Sequence, residues 1–425
     1  MDCDLQHPRD QIVEITNRIY VQGMTTTSGG NLSILDDNGD MWVTPAGVDK
    51  GNLRPEDIVC VKPDLTVVGR HAPSSEFRFH RAVYERRSDI RAVVHAHPPA
   101  LVSFSIARQV PDTRITPHFF AICGAVGRVP YAIMGSVKLA QVIAETFGNG
   151  FNCAIMDNHG AVTGGCDLLQ AFQRFETLEF CARTVINAAH LCGVKVLNDE
   201  QLNPANVAEL PEFVPSSHSS VERNLRKDVC EIVHRGYVGQ LMTSTAGTVS
   251  ARVGEDLFVI TPSGVDRKYL NIEDLVLVRE GKREKGKLPS RAVRLHRAIY
   301  RDHAAIGAII VSQPPYTMAH CVAGVILDAT KMSEGYVILG RIPLVPLGMH
   351  CLDGGDVSAM LSGRTNTLLL QHDGVLTTGA TIVKAFDCLE VAEFAARALS
   401  SVPDIGEIVP IDARGLEALD RRFFA

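Results

Sequence analysis

The sequence predicts a mixed α/β protein made of two homologous domains, each a largely antiparallel sheet with helical cover. Two internal observations carry this expectation. The chain contains itself twice: Val43-Thr44-Pro45-Ala46-Gly47-Val48-Asp49 returns as Ile260-Thr261-Pro262-Ser263-Gly264-Val265-Asp266, and Gly127-Arg128-Val129-Pro130 returns as Gly340-Arg341-Ile342-Pro343. His80-Arg81-Ala82-Val83-Tyr84 returns as His296-Arg297-Ala298-Ile299-Tyr300, an offset of 216 residues (296 less 80). Such a period is far too long for a solenoid, so it reads as domain duplication. Within each repeat, hairpin signals alternate with helical stripes, which favours an antiparallel sheet over a doubly wound parallel one.

The predicted domains are residues 1–200 and 223–400. Between them, 201–222 carries Pro204, Pro211, Pro215 and a Ser-Ser-His-Ser-Ser run, the composition of a linker. Residues 401–425 form a short tail. In the first half, Ile12, Ile15 and Ile19 fall on one helical face. Strands at 31–35 and 41–44 flank Asp36-Asp37-Asn38-Gly39, whose Asn-Gly marks a hairpin. Further strands are expected at 58–62 and 67–68. Phe77, His80, Val83 and Tyr84 set a helical stripe within 75–87, followed by a strand at 92–95 and a helix over 99–108. A last strand at 153–156 precedes a helix from Asp167, a plausible N-cap, to about Cys192.

Composition narrows the function classes. A net charge of −6 gives no basic nucleic-acid surface, and no apolar run reaches the ~18 residues that span a bilayer. The N-terminal Met1-Asp2-Cys3-Asp4 is acidic rather than signal-like. Eleven cysteines without any Cys-x-x-Cys pair fit a reducing cytoplasm and argue against a cysteine-rich zinc site.

The chemistry-bearing residues sit at element ends. His95 and His97 stand at i and i+2 at a strand end, so both imidazoles can reach one ion. His159 follows the strand at 153–156, and a third imidazole would complete a site with an open position for substrate. Glu76 follows Pro73-Ser74-Ser75 at a helix start. It reads either as an ordinary first-turn acid or as a general base beside a metal. Ser74 and Ser75 with helix-start amides, and Asn31 and Gly47, could receive an anionic group. Singly, each has an ordinary reading as a turn or a strand end.

Their joint order resembles the class II aldolase/adducin family, whose best-known enzymes are fuculose-phosphate and rhamnulose-phosphate aldolases. The resemblance rests on Gly30-Asn31-Leu32-Ser33, Thr44-Pro45-Ala46-Gly47, Pro73-Ser74-Ser75-Glu76 with His80, His95-Ala96-His97 and Asn158-His159-Gly160. It implies two αβα class II aldolase-like domains, each with a central, mainly antiparallel sheet flanked by helices. It implies that His95, His97 and His159 hold Zn²⁺ or another divalent ion such as Mn²⁺, Co²⁺ or Fe²⁺. Glu76 is then the acid/base, and Asn31, Gly47, Ser74 and Ser75 bind the substrate's phosphate or other anionic group. The implied reaction is retro-aldol cleavage of a small hydroxylated carbonyl compound through a metal-bound enediolate. Family members form fourfold rings with sites between subunits, which implies a homo-oligomer here.

Two departures stand out in the first half. Ala46 replaces a hydroxyl residue of the sugar-phosphate aldolases. In Thr116-Pro117-His118-Phe119-Phe120, Phe119 stands where fuculose-phosphate aldolase has a tyrosine proton donor, leaving His118 as the candidate acid. Both weaken the standard aldolase reading, and they bring forward the family's decarboxylases, which need no proton delivered to a leaving aldehyde. A non-catalytic scaffold, as in adducin, is the rival from another class, and sugar-phosphate epimerisation or dehydration is a further option.

In the second half, Ala292 matches Glu76, Arg291 matches Ser75, and Val311, Gln313 and Asp373 match His95, His97 and His159. No metal trio survives there, and a degenerate domain is expected. With one such domain per chain, two chains would build a pseudo-fourfold assembly.

Overall fold

The repeat in the sequence is a repeat of sheets. The computed structural model describes residues 5–203, 209–349 and 354–424. It divides into two units, Met1–Arg114 with His118–Arg183, and Ile115–Pro117 with Thr184–Ala425.

The first unit carries eight strands: β1 (Asn31–Leu35), β2 (Met41–Val43), β3 (Val59–Val61), β4 (Val67–Val68), β5 (Ala92–Ala96), β6 (Val126–Val129), β7 (Cys153–Met156) and β8 (Gly160–Gly165). They lie in the order β4-β3-β2-β1-β5-β8-β7-β6. Every neighbouring pair is antiparallel except β6 with β7. The β1–β2 turn forms as the Asn-Gly pair predicts. Asp36 Oδ1 accepts the N–H groups of Asn38 and Asp40, and Gly39 takes the left-handed φ of +79° that such a turn needs.

The helices are α1 (Pro8–Val21), α2 (Phe77–Arg86), α3 (Pro99–Ala107), α4 (Pro117–Cys123), α5 (Val137–Gly148) and α6 (Leu168–Ala189). The stripe expected within 75–87 is α2, with Phe79, His80, Val83 and Tyr84 buried. It packs beside α5, whose first turn is capped by Ser136 accepting from Leu139 N–H. Phe79 and Val83 join Leu139, Ile143 and Phe147 of α5 and Val43, Val93 and Met156 of the sheet in one core. Each large apolar side chain so buried contributes roughly 1.5–3 kcal/mol. Against β1 and β2 packs α1, burying Ile12, Ile15 and Ile19, and against β7 and β8 packs α3. Asp167 accepts from Gln170 N–H at the head of α6, the cap read from the sequence.

The second unit repeats this plan. Its strands are β9 (Glu212–Phe213), β10 (Thr248–Gly254), β11 (Leu257–Ile260), β12 (Val276–Arg279), β13 (Lys282–Glu284), β14 (Ala308–Ser312), β15 (Leu344–Val345), β16 (Thr367–Leu370) and β17 (Gly374–Gly379). The order β15-β16-β17-β14-β10-β11-β12-β13-β9 is that of the first sheet with one strand added. The addition comes from the stretch with linker composition: Glu212–Phe213 runs parallel to β13 at the sheet edge. Pro204 and 205–208 of that stretch, and residues 1–4, lie outside the described residues. Phe258, Ile260, Val278, Ile299, Ile309, Leu368 and Leu376 form the second core. Each half is therefore an α/β unit with a mainly antiparallel sheet flanked by helices, as the sequence predicts. Among the described residues, no helix is long and apolar enough to cross a membrane.

Candidate functional site

Strand β5 lies in the middle of the first sheet, and its C-terminal end carries the site. His95 stands opposite Asn31 across the β1–β5 ladder, so both side chains share a face. That is the face of Val93, where His95 meets the edge of Phe79 at 5.7 Å between ring centroids. On the other side of β5, Ala161 of β8 accepts a hydrogen bond from His95 Nδ1 at 2.8 Å. A carbonyl only accepts, so the proton is on Nδ1 and Nε2 keeps its lone pair.

His97 lies just past the strand, its Nε2 3.1 Å from His95 Nε2. His159 joins them from the β7–β8 turn, and one nitrogen from each ring lies within 4.8 Å of the others. The turn depends on Asn158 at the left-handed φ of +53°, a conformation that asparagine tolerates well. Gly160 follows because no side chain fits there. A Cβ would stand 2.6 Å from His97 Cδ2 and 2.7 Å from the Ala96 carbonyl.

This donor set fits a divalent ion. Both ring nitrogens of His159 are buried without a hydrogen-bond partner among the described residues, an arrangement costing roughly 1–3 kcal/mol per group unless something binds them. Burial holds His97 down to about 3 and His159 down to about 4, so both imidazoles stay neutral with lone pairs to donate. A tetrahedral centre with bonds of ~2.0–2.1 Å spaces its ligands ~3.3 Å apart, close to the His95–His97 separation.

Glu76 stands beside the trio. Its Oε2 is 3.4 Å from His95 Nε2, and its Oε1 is 3.6 Å from His159 Nε2. Burial raises its pKa, while the Asn31 N–H and positive charge at the His95 and His159 positions, carried as protons or by a bound cation, lower it below the usual carboxylate range. Although Glu76 occupies the N-cap position of α2, its side chain makes no capping hydrogen bond.

The remaining predicted residues gather near the start of α2. Two loops are tied together by the Pro45–Pro73 bridge, by Ala46 N–H on the Ala72 carbonyl and by Ser74 N–H on the Thr44 carbonyl. This sets Gly47, at φ +68°, in the loop alongside Ser74 and Ser75. Ser74 is buried, while Ser75 and Gly47 are exposed. Asn31 is buried, its carboxamide turned toward Glu76 and His80. His118 lies on α4 with its ring 6.2 Å from that of Phe119, and it is not a member of the imidazole cluster.

Two features escaped the sequence reading. Ser105 of α3 accepts from His159 N–H at 2.7 Å and donates to the Met156 carbonyl at 2.6 Å, pinning the turn that carries the third imidazole. Glu179 of α6 accepts the N–H groups of Ala100 and Leu101, holding the first turn of α3. Glu393 does the same for Tyr316 and Thr317, so the repeat itself was the signal that could have exposed Glu179.

At the corresponding place in the second unit, Gln313 donates to the Asp373 carbonyl at 2.6 Å. Positions matching His97 and His159 are thus joined by a hydrogen bond. The left-handed turn remains, with His372 at φ +59°.

Comparison with known proteins agrees with this geometry. The model of the class II aldolase and adducin N-terminal domain matches residues 10–186 and again 227–400. A 5-deoxy-D-ribulose 1-phosphate aldolase of Bacillus thuringiensis serovar kurstaki is 30% identical over 202 residues, 47% of this chain and 93% of its own. A 3-oxo-tetronate 4-phosphate decarboxylase of Escherichia coli K12 is 29% identical over 212 residues, 49% of this chain and 95% of its own. An L-fuculose phosphate aldolase of Methanocaldococcus jannaschii is 32% identical over 182 residues, 42% of this chain and 96% of its own. Each relative is spanned almost entirely by about half of this chain. With two matched regions, two sheets of one topology and a histidine trio in the first, the chain belongs to the class II aldolase and adducin family, as a tandem of two such domains.

Proposed function

We propose that the first domain, residues 1–200, is a metal-dependent C–C lyase. Its substrate is a small hydroxylated carbonyl compound bearing a phosphate or another anionic group. The observation that carries this reading is His159, buried with both ring nitrogens lacking a hydrogen-bond partner among the described residues, beside two further imidazoles and a carboxylate. His95, His97 and His159 would hold Zn²⁺ or, with the same donors, Mn²⁺, Co²⁺ or Fe²⁺. When bound, the ion supplies Lewis acidity toward the oxygens of the substrate. Glu76, held ionised by its neighbours, takes a proton at Oε1, the oxygen that has no hydrogen-bond partner among the described residues. The hydroxyls and amides of Ser74 and Ser75 and the amide of Gly47 receive the anionic end, where the start of α2 favours negative charge. Asn31 adds the Nδ2 hydrogen that it does not give to Glu76, and His118 is the second proton carrier.

Decarboxylation of a hydroxylated carboxylic acid is the second reading. It is favoured by Phe119, buried and unable to donate a proton, and by the relatives named as decarboxylases. The second domain, 223–400, is a degenerate partner, supported by Val311, Gln313 and Asp373 at the ligand positions. In this reading two chains form a pseudo-fourfold homo-oligomer, and a monomer by solution mass measurement would remove that part. A reducing, cytoplasmic setting is supported by the nine described cysteines, all free.

Metal analysis of the purified chain, with His95→Ala and His159→Ala alongside, is the primary test. Stoichiometric metal lost in both variants is expected; absence of metal from all three would leave the adducin-like scaffold instead. A panel of phosphorylated and unphosphorylated hydroxy-carbonyl compounds, read for both aldehyde and CO₂, separates the two reactions. Glu76→Gln should keep the metal and lose turnover, and full activity in that variant would remove Glu76 from the mechanism.

A further inference from the structure

Behind Glu76 runs a line of buried polar groups that the proposed chemistry does not use. Asn31 Nδ2 donates to Glu76 Oε2 at 2.9 Å, and Asn31 Oδ1 lies 2.5 Å from His80 Nε2. His80 Nδ1 lies 2.6 Å from Ser33 Oγ, which lies 2.6 Å from the Tyr84 hydroxyl. The Ser33 carbonyl, 3.1 Å from the Tyr84 hydroxyl, is a second acceptor that shares its one proton.

The direction of every proton in this line is fixed by chemistry. A carboxylate only accepts, so the Asn31 amide nitrogen faces Glu76 and its oxygen faces His80. That oxygen can only accept, so His80 carries its proton on Nε2 and accepts at Nδ1. Ser33 must therefore donate to His80, and its oxygen accepts from Tyr84. His80 is fully buried, and burial holds it down to about 3, in the neutral state this order requires.

The second unit supplies the comparison. Tyr300, Ser250 and His296 repeat the inner part, with Ser250 Oγ 2.7 Å from His296 Nδ1 and 2.8 Å from the Tyr300 hydroxyl. There the line stops. Thr248 stands opposite Val311 as Asn31 stands opposite His95, and it bonds to Ser290 instead. His296 Nε2 is buried with no partner among the described residues. A Tyr–Ser–His group thus belongs to the fold of both units, whereas the Asn31 link exists only where a carboxylate needs a fixed orientation.

We propose that Asn31 is a positioning residue that locks Glu76 through Oε2 to the rigid Tyr84–Ser33–His80 group, leaving Glu76 Oε1, which has no hydrogen-bond partner among the described residues, for proton transfer beside the histidine trio. This rests on Glu76 being the acid/base. It assigns Asn31 a role in turnover that a substrate contact alone would not have.

The test uses the full chain labelled with ¹⁵N-histidine, the Asn31→Thr variant that copies Thr248, and Ser33→Ala as a second variant. In the unaltered protein His80 should show one tautomer, with a slowly exchanging Nε2–H resolved downfield of that of His296. Asn31→Thr should move this signal to the His296 position with bound metal unchanged. Ser33→Ala should release the tautomer. On whichever panel compound turns over, Asn31→Thr should lower kcat by about tenfold to a hundredfold, the scale expected for a misplaced reacting group, in addition to any rise in KM from the lost anion contact. An unaltered His80 signal in Asn31→Thr would overturn the link. A raised KM at unchanged kcat would also overturn the proposal, making Asn31 a substrate contact alone. Full activity in Glu76→Gln would remove the acid/base reading itself and leaves the histidine signals untouched, so the two failures are separate.

Discussion

Replacing Ser105 by alanine should loosen the third metal ligand without touching it. Ser105 is fully buried in α3, and its hydroxyl makes two bonds to the His159 turn, at 2.6 and 2.7 Å. His159 N–H also reaches the Met156 carbonyl at 3.1 Å, so it is not wholly orphaned when the hydroxyl goes. Two bonds at roughly 1 kcal/mol net each set the loss at about 2 kcal/mol. If the turn relaxes in the metal-free variant, binding must reorder it at that cost. Since ~1.4 kcal/mol is tenfold in affinity, metal should bind about 10- to 30-fold more weakly, within the range of other outer contacts to metal ligands. The assay is competition of the metal-free protein with a chromophoric chelator for Zn²⁺. Ser105→Cys copies Cys321, whose sulfur donates to the Gly374 carbonyl, and should fall between the two. A Ser105→Ala affinity within about twofold of the unaltered protein would refute the idea that α3 holds the ligand in place.

Other consequences follow from single contacts. Gly160→Ala forces a methyl to within 2.7 Å of the Ala96 carbonyl and against His97, and should cost about 1–3 kcal/mol in denaturant unfolding together with bound metal. Metal content unchanged in that variant would contradict the packing. Glu179→Gln gives up one acceptor oxygen at the head of α3, and should lower stability by roughly 1–3 kcal/mol in the same unfolding experiment. Lys50, buried and donating to the Pro45 carbonyl, is pushed down by burial to about 8. The unfolded chain then binds more protons than the folded one between pH 8 and its ordinary 10.5, so stability rises with pH across that window. Relative to Lys50→Met, the unaltered protein should gain about 2 kcal/mol between pH 7 and pH 9.5, and a flat difference would refute this.

The parts of the site that lie along one element were legible in the sequence. His95 and His97 share a face because strand geometry demands it, and His80 with Tyr84 share one because helix geometry does. The duplicated His80–Tyr84 segment was visible too, but it reads as core packing until Ser33 is seen beside it. Ser33 and Asn31 lie 47 and 49 residues from His80 along the chain, and only the packing of α2 against β1 makes them neighbours. The same limit hid Ser105, whose partners come from a turn 51 and 54 residues further on. Composition read 201–222 as a linker, yet Glu212–Phe213 pairs with β13. Arg283 N–H on the Pro211 carbonyl and Lys285 N–H on the Phe213 carbonyl are contacts that composition does not encode.

The pairing of Asn31 with His95 has a consequence for how this domain fails. Sliding β1 by one residue against β5 would leave many ladder bonds intact in number, yet it would turn Asn31 to the opposite face from His95. Ser33, two residues along β1, would turn with it and part from His80 and Tyr84. Asn31 and Ser33 would leave together, so the whole anchor of Glu76 would be lost in one event, while the histidine trio on β5 and the β7–β8 turn stayed in place. A sample damaged by heat or ageing should therefore be a mixture of fully competent molecules and molecules that keep the histidine trio but have lost the Glu76 anchor. Its active fraction would decline while the turnover of each surviving site stayed constant.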